Sequence, residues 1–440
     1  MLYAYCSLFP KDYAFKKKDL VLLWMAEGFL HQSSNDASLF VMHDLMNDLA
    51  TFIAGDFFFK LEKNMEKDDR IKDLEKLRHM SFVCEEFKAY KKFEVFQRAK
   101  GLRTFFSVEV KERWERYFLS NKVLVDLLPQ LPVIRVISLS GYEISEVPES
   151  FGSLKHLRFS KLKNLRHLDI RGTPRLKDMT LGIGELKSLQ TLSKIIFEGE
   201  NDFSINQLKD LNNLQGEISF KGLDKVLNTM EAREASLSQK RITVLKVEWD
   251  DGSREQIAEK EVLDALQPYD DCLKKLVIVN YLGLEFPKWV GDPLFRQLAR
   301  VSIRGCRKCA SLPPLGQLQP LKELSIEDMG DIKVVGSEFF GPGLAFPSLE
   351  SLSFLNMSGW EVWSTNSRSG VRDSVFPCLQ ELNIKGCPNL VEFSLKAPLL
   401  SLRDLRVDEC GDGVLRSLVH AALSVTKMEI NSISGLTNEV

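Results

Sequence analysis

Residues 379–387 read LQELNIKGC. Leu379, Leu382 and Ile384 are apolar, and Gln380, Glu381 and Asn383 between them are polar. Leu382 and Ile384 lie two apart, so a short strand puts both on one face and Glu381, Asn383 and Lys385 on the other. The same six-place pattern, L-x-x-L-x-L with Leu, Ile, Val, Met or Phe at its apolar places, recurs. It begins at ten positions: Ile134, Leu165, Ile242, Leu273, Leu298, Leu321, Leu349, Leu379, Leu402 and Val425. From Ile242 onward the starts are spaced by 31, 25, 23, 28, 30, 23 and 23 residues, which is a repeat rather than a set of unrelated strands.

Each such strand can bury its apolar face only against its neighbours, so the units must stack into a curved solenoid. A unit of roughly 20–29 residues with this pattern is a leucine-rich repeat. Cys306, Cys387 and Cys410 stand three residues past the last apolar place of their units, where such repeats put a small buried asparagine or cysteine. Turn-rich pieces follow, SLPPLGQL (311–318) and GCPNL (386–390). The fold class is therefore α/β: a leucine-rich-repeat solenoid, or horseshoe, preceded by a small and mostly helical segment.

The residues between the apolar places should line the concave face. They are Arg300, Ser302 and Arg304; Glu323, Ser325 and Glu327; Ser351, Ser353 and Leu355; Glu381, Asn383 and Lys385; Asp404, Arg406 and Asp408. Their charge alternates in sign from coil to coil, which suits a specific protein partner better than a uniform polyanion. The candidate partner-binding residues on that face are Arg300, Arg304, Glu323, Glu327, Glu381, Lys385, Asp404, Arg406 and Asp408.

Composition narrows the function classes. A formal net charge of -2 gives no electrostatic reason to expect nucleic acid or an anionic membrane. No run of about eighteen apolar residues spans a bilayer. The eight cysteines are scattered and form no dense framework, which indicates a reducing compartment. CRKC (306–309) has no second C-x-x-C and no histidine in its repeat, and Cys306 already has a place in the solenoid, so both cysteines read as structural. No G-x-S-x-G, no H-E-x-x-H and no Cys–His nucleophile pair occurs, so no catalytic residue and no metal site is expected.

The residues before the repeats differ. KKKDLVLLWMAEGFL (16–30) has helical spacing with a stop at Gly28, and HDLMNDLATFIAG (43–55) puts Leu45, Leu49 and Phe52 on one helix face and ends in Gly55. Residues 60–78 are mostly charged and read as a solvated helix or linker. LRHMSFV (77–83) and LRTFFSV (102–108) are strand candidates that cap or lead into the solenoid. The division is 1–59, 60–130 as charged linker and N-terminal cap, and 131–440 as repeats. On spacing alone, His43 and Asp44 mark a helix N-terminus, with Asp44 favoured by the helix dipole and His43 partly exposed.

YAYCSLFPKDYAFKKKDLVLLWMAEGFL (3–30) resembles the start of the winged-helix (ARC2) part of the nucleotide-binding module in plant NLR immune receptors. VMHDLMNDLA (41–50) is similar to the MHD motif that closes that module. LKNLRHLDIRGTPRLKDM (162–179), GELKSLQTLSKIIF (184–197), LNNLQGEISFKGLDKV (211–226), LEFPKWVGDP (284–293) and CASLPPLGQLQPLKELSIEDM (309–329) resemble repeats of the coiled-coil class of that family. The resemblance implies that His43 lies near the β-phosphate of bound ADP in the resting receptor, that Asp44 supports it, and that Met42 packs beside them. An imidazole near its titration point is chemically suited to that role. It also implies an ADP-resting, ATP-active switch and a cytoplasmic or nucleo-cytoplasmic location.

The chain departs from the family pattern. It holds no G-x-x-x-x-G-K-[ST] phosphate cradle, so 1–59 is expected to be a partial winged-helix segment of an N-terminally truncated receptor. No cofactor is expected for this chain alone, and ADP or ATP should bind weakly or not at all. HQSSNDASLF (31–40) joins the two helices directly, shorter than in the family. A repeat strand due at Leu157 meets the next start at Leu165 after only eight residues, so the solenoid is expected to be irregular near 157–165.

The function expected is protein–protein recognition in plant innate immunity. The partner would be a pathogen effector, a guarded host protein or the receptor's own nucleotide-binding module. The alternative is a non-signalling decoy or a nonfunctional truncated paralogue. Nucleic-acid binding through the winged helix has only FKKKDL (15–20) and the mixed-sign KERWER (111–116) in its favour.

Overall fold

The computed structural model describes residues 2–30, 39–62, 73–84, 87–109, 117–143 except 121, 162–197 except 174–175, 177–178 and 180–181, 203–250 except 227, 256–364 except 343, 375–394, and 398–432 except 412, 415–417 and 419–423. Four stretches singled out above fall outside these residues: 31–38 in the short joint, 63–72 in the charged run, 111–116, and 157–161 in the irregular joint. The chain forms two compact units, Met1–Ser219 and Phe220–Val440.

In the second unit, strands Arg241–Glu248, Lys275–Val279, Arg300–Arg304, Glu323–Glu327, Ser351–Leu355, Glu381–Cys387, Asp404–Cys410 and Lys427–Asn431 lie side by side in chain order, all parallel. Each corresponds to one copy of the six-place pattern. The register stacks like on like: Leu276, Val301, Leu324, Leu352, Leu382 and Leu405 form one apolar column, and Ile278, Ile303, Ile326, Phe354, Ile384 and Val407 the next. All are buried. Each stabilises the stack by about 2 kcal/mol over an exposed side chain. A second parallel sheet, Val334–Val335, Val362–Ser364 and Glu392–Ser394, covers these columns, with Trp363 packed on Phe354 at a ring-centroid distance of 5.3 Å.

Every rung of this unit from Lys275–Val279 onward turns off the sheet the same way. Two residues past the last apolar place, the backbone enters the left-handed region at Asn280, Gly305, Asp328, Asn356, Gly386, Glu409 and Ser432. Asparagine, aspartate and glycine tolerate that conformation best. One residue later comes the buried position, filled by Tyr281, Cys306, Met329, Met357, Cys387 and Cys410. So the expected role of Cys306, Cys387 and Cys410 holds, and the larger Tyr281, Met329 and Met357 take the same buried place in other rungs.

The first unit has its own six-stranded parallel sheet: Phe58–Leu61, His79–Val83, Thr104–Val108, Val136–Ser138, His167–Asp169 and Thr191–Leu192, again in chain order. The two strand candidates at 77–83 and 102–108 lead into this sheet as full rungs. Val136–Ser138 pairs directly with His167–Asp169, Val136 opposite His167.

Both faces of these rungs are covered. His79–Val83 and Thr104–Val108 are buried at every residue. Phe82, Phe93 and Phe105 pack on one side with ring centroids 4.6–5.6 Å apart. On the other side Phe106, Val108 and Val136 share a core with Tyr5, Leu8, Phe9, Leu20, Leu23, Ala26 and Ala50. The segment before the repeats therefore lies on the outward face of the first rungs. It contains helix Lys17–Ala26, helix Asp44–Ala54, and strand Ala14–Lys16 paired antiparallel with Leu39–Val41. Helix Lys17–Ala26 ends as expected, Gly28 taking φ +82° and donating its N–H to Met25.

Helix Asp44–Ala54 buries a face other than its most apolar one. Leu45, Leu49 and Phe52 do share a face, but they are 72%, 48% and 84% exposed, while Asn47, Ala50 and Ala54 are buried. Small residues allow the close approach to Phe9 and the 3₁₀ turn Leu2–Leu8, and the Asn47 amide donates to the Phe9 carbonyl at 3.5 Å.

Candidate functional site

The outward face of the second unit is built by three columns of side chains in strict register. One runs Arg300, Glu323, Ser351, Glu381, Asp404; the next Ser302, Ser325, Ser353, Asn383, Arg406; the third Arg304, Glu327, Leu355, Lys385, Asp408. All nine charged candidates therefore fall on one face.

Their alternating sign has an internal consequence. Lys385 Nζ meets Asp408 at 2.8 Å, Arg304 Nε meets Glu327 at 3.6 Å and Asp328 at 3.7 Å, Arg300 meets Glu323 at 4.0 Å, and Asp404 is 3.7 Å from Lys427. Arg406 likewise faces Glu429 at 3.7 Å. The Ser351 hydroxyl donates to Glu381 at 3.2 Å. These cross-strand neighbours compensate one another, as opposite charges on adjacent strands do, whereas Glu381 faces the like-charged Asp404. The side chains are largely exposed, so each pair contributes little to stability.

Between these pairs lies a groove of about 480 Å³, lined by Lys275, Arg300, Ser302, Glu323, Ser325, Glu350, Ser351, Ser353, Gln380 and Glu381. Its floor is the serine column, whose short hydroxyl side chains leave room above the sheet and offer donors and acceptors. Lys322 and Glu350, paired at 2.7 Å, border it; Glu350 and Gln380 occupy the first variable place of the pattern. Sequence reading assigned that place no role, although it too points along the edge of the outward face.

His43, Asp44 and Met42 sit at the start of helix Asp44–Ala54. His43 is its N-cap: Nδ1 accepts the Leu45 N–H at 3.3 Å, which makes Nε2 the donor of the neutral ring. His43 and Asp44 are exposed, and Met42 is half-buried against the core around Tyr5 and Phe9. This geometry is that of a helix start, with Asp44 in the first turn near the positive end of the dipole.

The C-x-x-C pair is buried. The Cys309 thiol donates to the Gly283 carbonyl at 3.1 Å and Cys306 to Arg304 at 3.5 Å, and burial pushes the Cys306 thiol up to about 12. Such thiols stay protonated and inert.

A feature not foreseen from sequence occupies the first unit. Arg78, Arg103, Arg135 and Arg166 hold the first variable place of successive rungs, locked in register by Arg103 N–H to Arg78 O (2.7 Å), Arg135 N–H to Arg103 O (2.7 Å) and Arg166 N–H to Arg135 O (2.8 Å). Arg103 and Arg135 both grip the carboxylate of Glu27, at 2.9 and 2.6 Å, and Arg166 donates to the Ala26 carbonyl at 2.6 Å. Arg171 binds Asp169 at 2.6 Å and Asp19 at 3.4 Å. Both ends of helix Lys17–Ala26 are thereby tied to the sheet. The signal was in the sequence as a recurrent apolar–Arg pair at 77–78, 102–103, 134–135 and 165–166.

Residues 8–40 match the family described as Disease resistance protein Winged helix domain, and residues 205–329 match that described as R13L1/DRL21 LRRs. A disease resistance protein of Arabidopsis thaliana is 34% identical over 468 residues, covering 88% of this chain and 32% of the relative. Disease resistance RPP13-like protein 1 of the same plant is 32% identical over 497 residues, covering 93% of this chain and 46% of the relative. Disease resistance protein RGA1 of Solanum bulbocastanum is 28% identical over 495 residues, 98% of this chain and 46% of the relative. The chain thus spans about a third to about half the length of these relatives. Among solved structures, the functional domain of InlJ from Listeria monocytogenes aligns with 92% of this chain and 76% of its own at 11% identity and a TM-score of 0.46. Among the described residues no helix is long and apolar enough to cross a membrane.

Proposed function

Since the chain belongs to the plant disease-resistance proteins with a winged-helix segment and leucine-rich repeats, we propose that it recognises another protein through the outward face of its second unit. The partner is a pathogen effector, a guarded host protein or the nucleotide-binding module of a longer receptor. The observation that carries this reading is the groove over Ser302, Ser325 and Ser353, walled by Arg300, Glu323 and Glu381. Its donors and acceptors of both signs suit a polypeptide, and the internal pairing of the charges lets rim residues swap partners at low cost. The chain acts by binding rather than by catalysis, in the cytoplasm. Residues 1–59 serve as the regulatory part and the repeats from 131 as the recognition part. In a longer receptor, His43 with Asp44 would sense ADP against ATP, the exposed helix start offering Nε2–H to a phosphate.

Co-precipitation from challenged plant tissue tests this. A chain carrying Arg300→Glu, Glu323→Lys and Glu381→Lys is expected to lose a partner that the parent chain and a Lys288→Glu control both retain. Equal retention by all three sinks the reading.

A further inference from the structure

The two units treat charge on adjacent strands in opposite ways. In the second, most charged neighbours are of opposite sign, Arg300 with Glu323, Lys385 with Asp408 and Arg406 with Glu429, and the two acids Glu381 and Asp404 that do face each other have Lys427 beside Asp404. In the first, four arginines follow one another at a single place of four consecutive rungs, a backbone ladder holding each to the next. Neighbouring strands are about 4.8 Å apart, and like charges directly opposite are destabilising. Glu27 answers only part of this: one carboxylate serves both Arg103 and Arg135.

Between Arg78, Arg103 and Arg135 lies a recess of about 260 Å³, completed by Gly101, Val133 and Asn164. Among the described residues no acidic one lines it. Gly101 leaves the Arg78 guanidinium room in its present position, since a Cβ there would come within 2.1 Å of it. Arg78 itself is anchored by one nitrogen, which donates to the Glu75 and Leu77 carbonyls at 2.6 and 3.1 Å, so the rest of its fork remains for a ligand. The surrounding field is positive: Arg103, Arg135 and Arg78 all depress the protonation of His79 beneath them, after burial itself.

We propose that this recess is a binding site for a small phosphate-bearing dianion. Three guanidinium charges against one carboxylate leave two positive charges, which a dianion balances, and planar guanidinium forks match phosphate oxygens two at a time. The recess has the scale of a phosphate or pyrophosphate group rather than of a folded partner. Glu27 is then the resident competitor: an anion that engages Arg103 and Arg135 weakens their hold on the end of helix Lys17–Ala26.

Calorimetric titration of the whole chain with sodium pyrophosphate at low ionic strength tests this, with inorganic phosphate and sodium acetate as comparators. Saturable binding at one site per chain is expected, pyrophosphate and phosphate ahead of acetate. Arg78→Gln, which leaves the Glu27 contacts intact, and Arg135→Gln should each weaken it at least about tenfold, Arg78→Lys less so, and Glu27→Gln should tighten it several-fold. Circular dichroism checks that each variant is folded, and Arg78→Lys carries the test should Arg135→Gln fail to fold. Absence of saturable binding, equal affinity for acetate, or affinity unchanged in Arg78→Gln overturns the proposal.

Discussion

His79 Nδ1 and the Thr104 hydroxyl lie 3.0 Å apart across adjacent rungs, and the same pairing recurs between His167 and Thr191 at 3.0 Å. Both imidazoles are buried between strands, and burial holds each far below its ordinary value of 6.5, down to about 3, with the neighbouring arginines adding to the effect. An unfolded chain takes up these protons near pH 6.5 and the folded one does not. The stability they support is therefore complete above about pH 6.5 and declines as pH falls toward 3. By pH 5 each histidine should cost roughly 2 kcal/mol. No histidine occurs among the described residues of the second unit. Hydrogen exchange between pH 7 and pH 5 should show the first unit losing protection first, and His79→Gln should flatten that dependence.

Glu27 is 6% exposed at its side chain and its carboxylate is shared by Arg103 and Arg135. Glu27→Ala leaves two guanidiniums facing each other without it. The arginines are partly solvated, so the expected cost is about 2 kcal/mol rather than the larger loss of a fully buried pair. Denaturant unfolding measures it, and protection at residues 17–27 should fall most.

Gly386 takes φ +66°, and a Cβ there would lie 2.6 Å from Asn356 Oδ1 on the preceding rung. Gly386→Ala should destabilise the second unit by roughly 2–3 kcal/mol, part from backbone strain and part from the clash. Adding Asn356→Gly removes the clash, together with the Asn356 Nδ2 hydrogen bond to Asp328, and should recover part of the loss in thermal unfolding. Full additivity of the two losses would contradict the contact.

The exposed face of helix Asp44–Ala54 predicts tolerance. Leu45→Lys with Phe52→Lys should change stability by no more than about 0.5 kcal/mol and reduce self-association, read by thermal melting and light scattering. A large loss of stability would mean that this face is packed.

The repeat, the ten strands that carry it and the place of Cys306, Cys387 and Cys410 were legible from residue order, because period-two burial and a recurring unit are local properties of a chain. The helix start at His43 and the stop at Gly28 were legible for the same reason. The rung at Thr191–Leu192 was not, since LQTLSK breaks the six-place pattern after its second apolar place. Only the fold decided which helix face is buried, and it chose Asn47, Ala50 and Ala54 over the greasier side because small side chains let the helix approach Phe9 closely. Only the fold turned four distant arginines into one column and brought Glu27 to two of them, since strand stacking places residues 25–32 apart in sequence a single strand spacing apart in space.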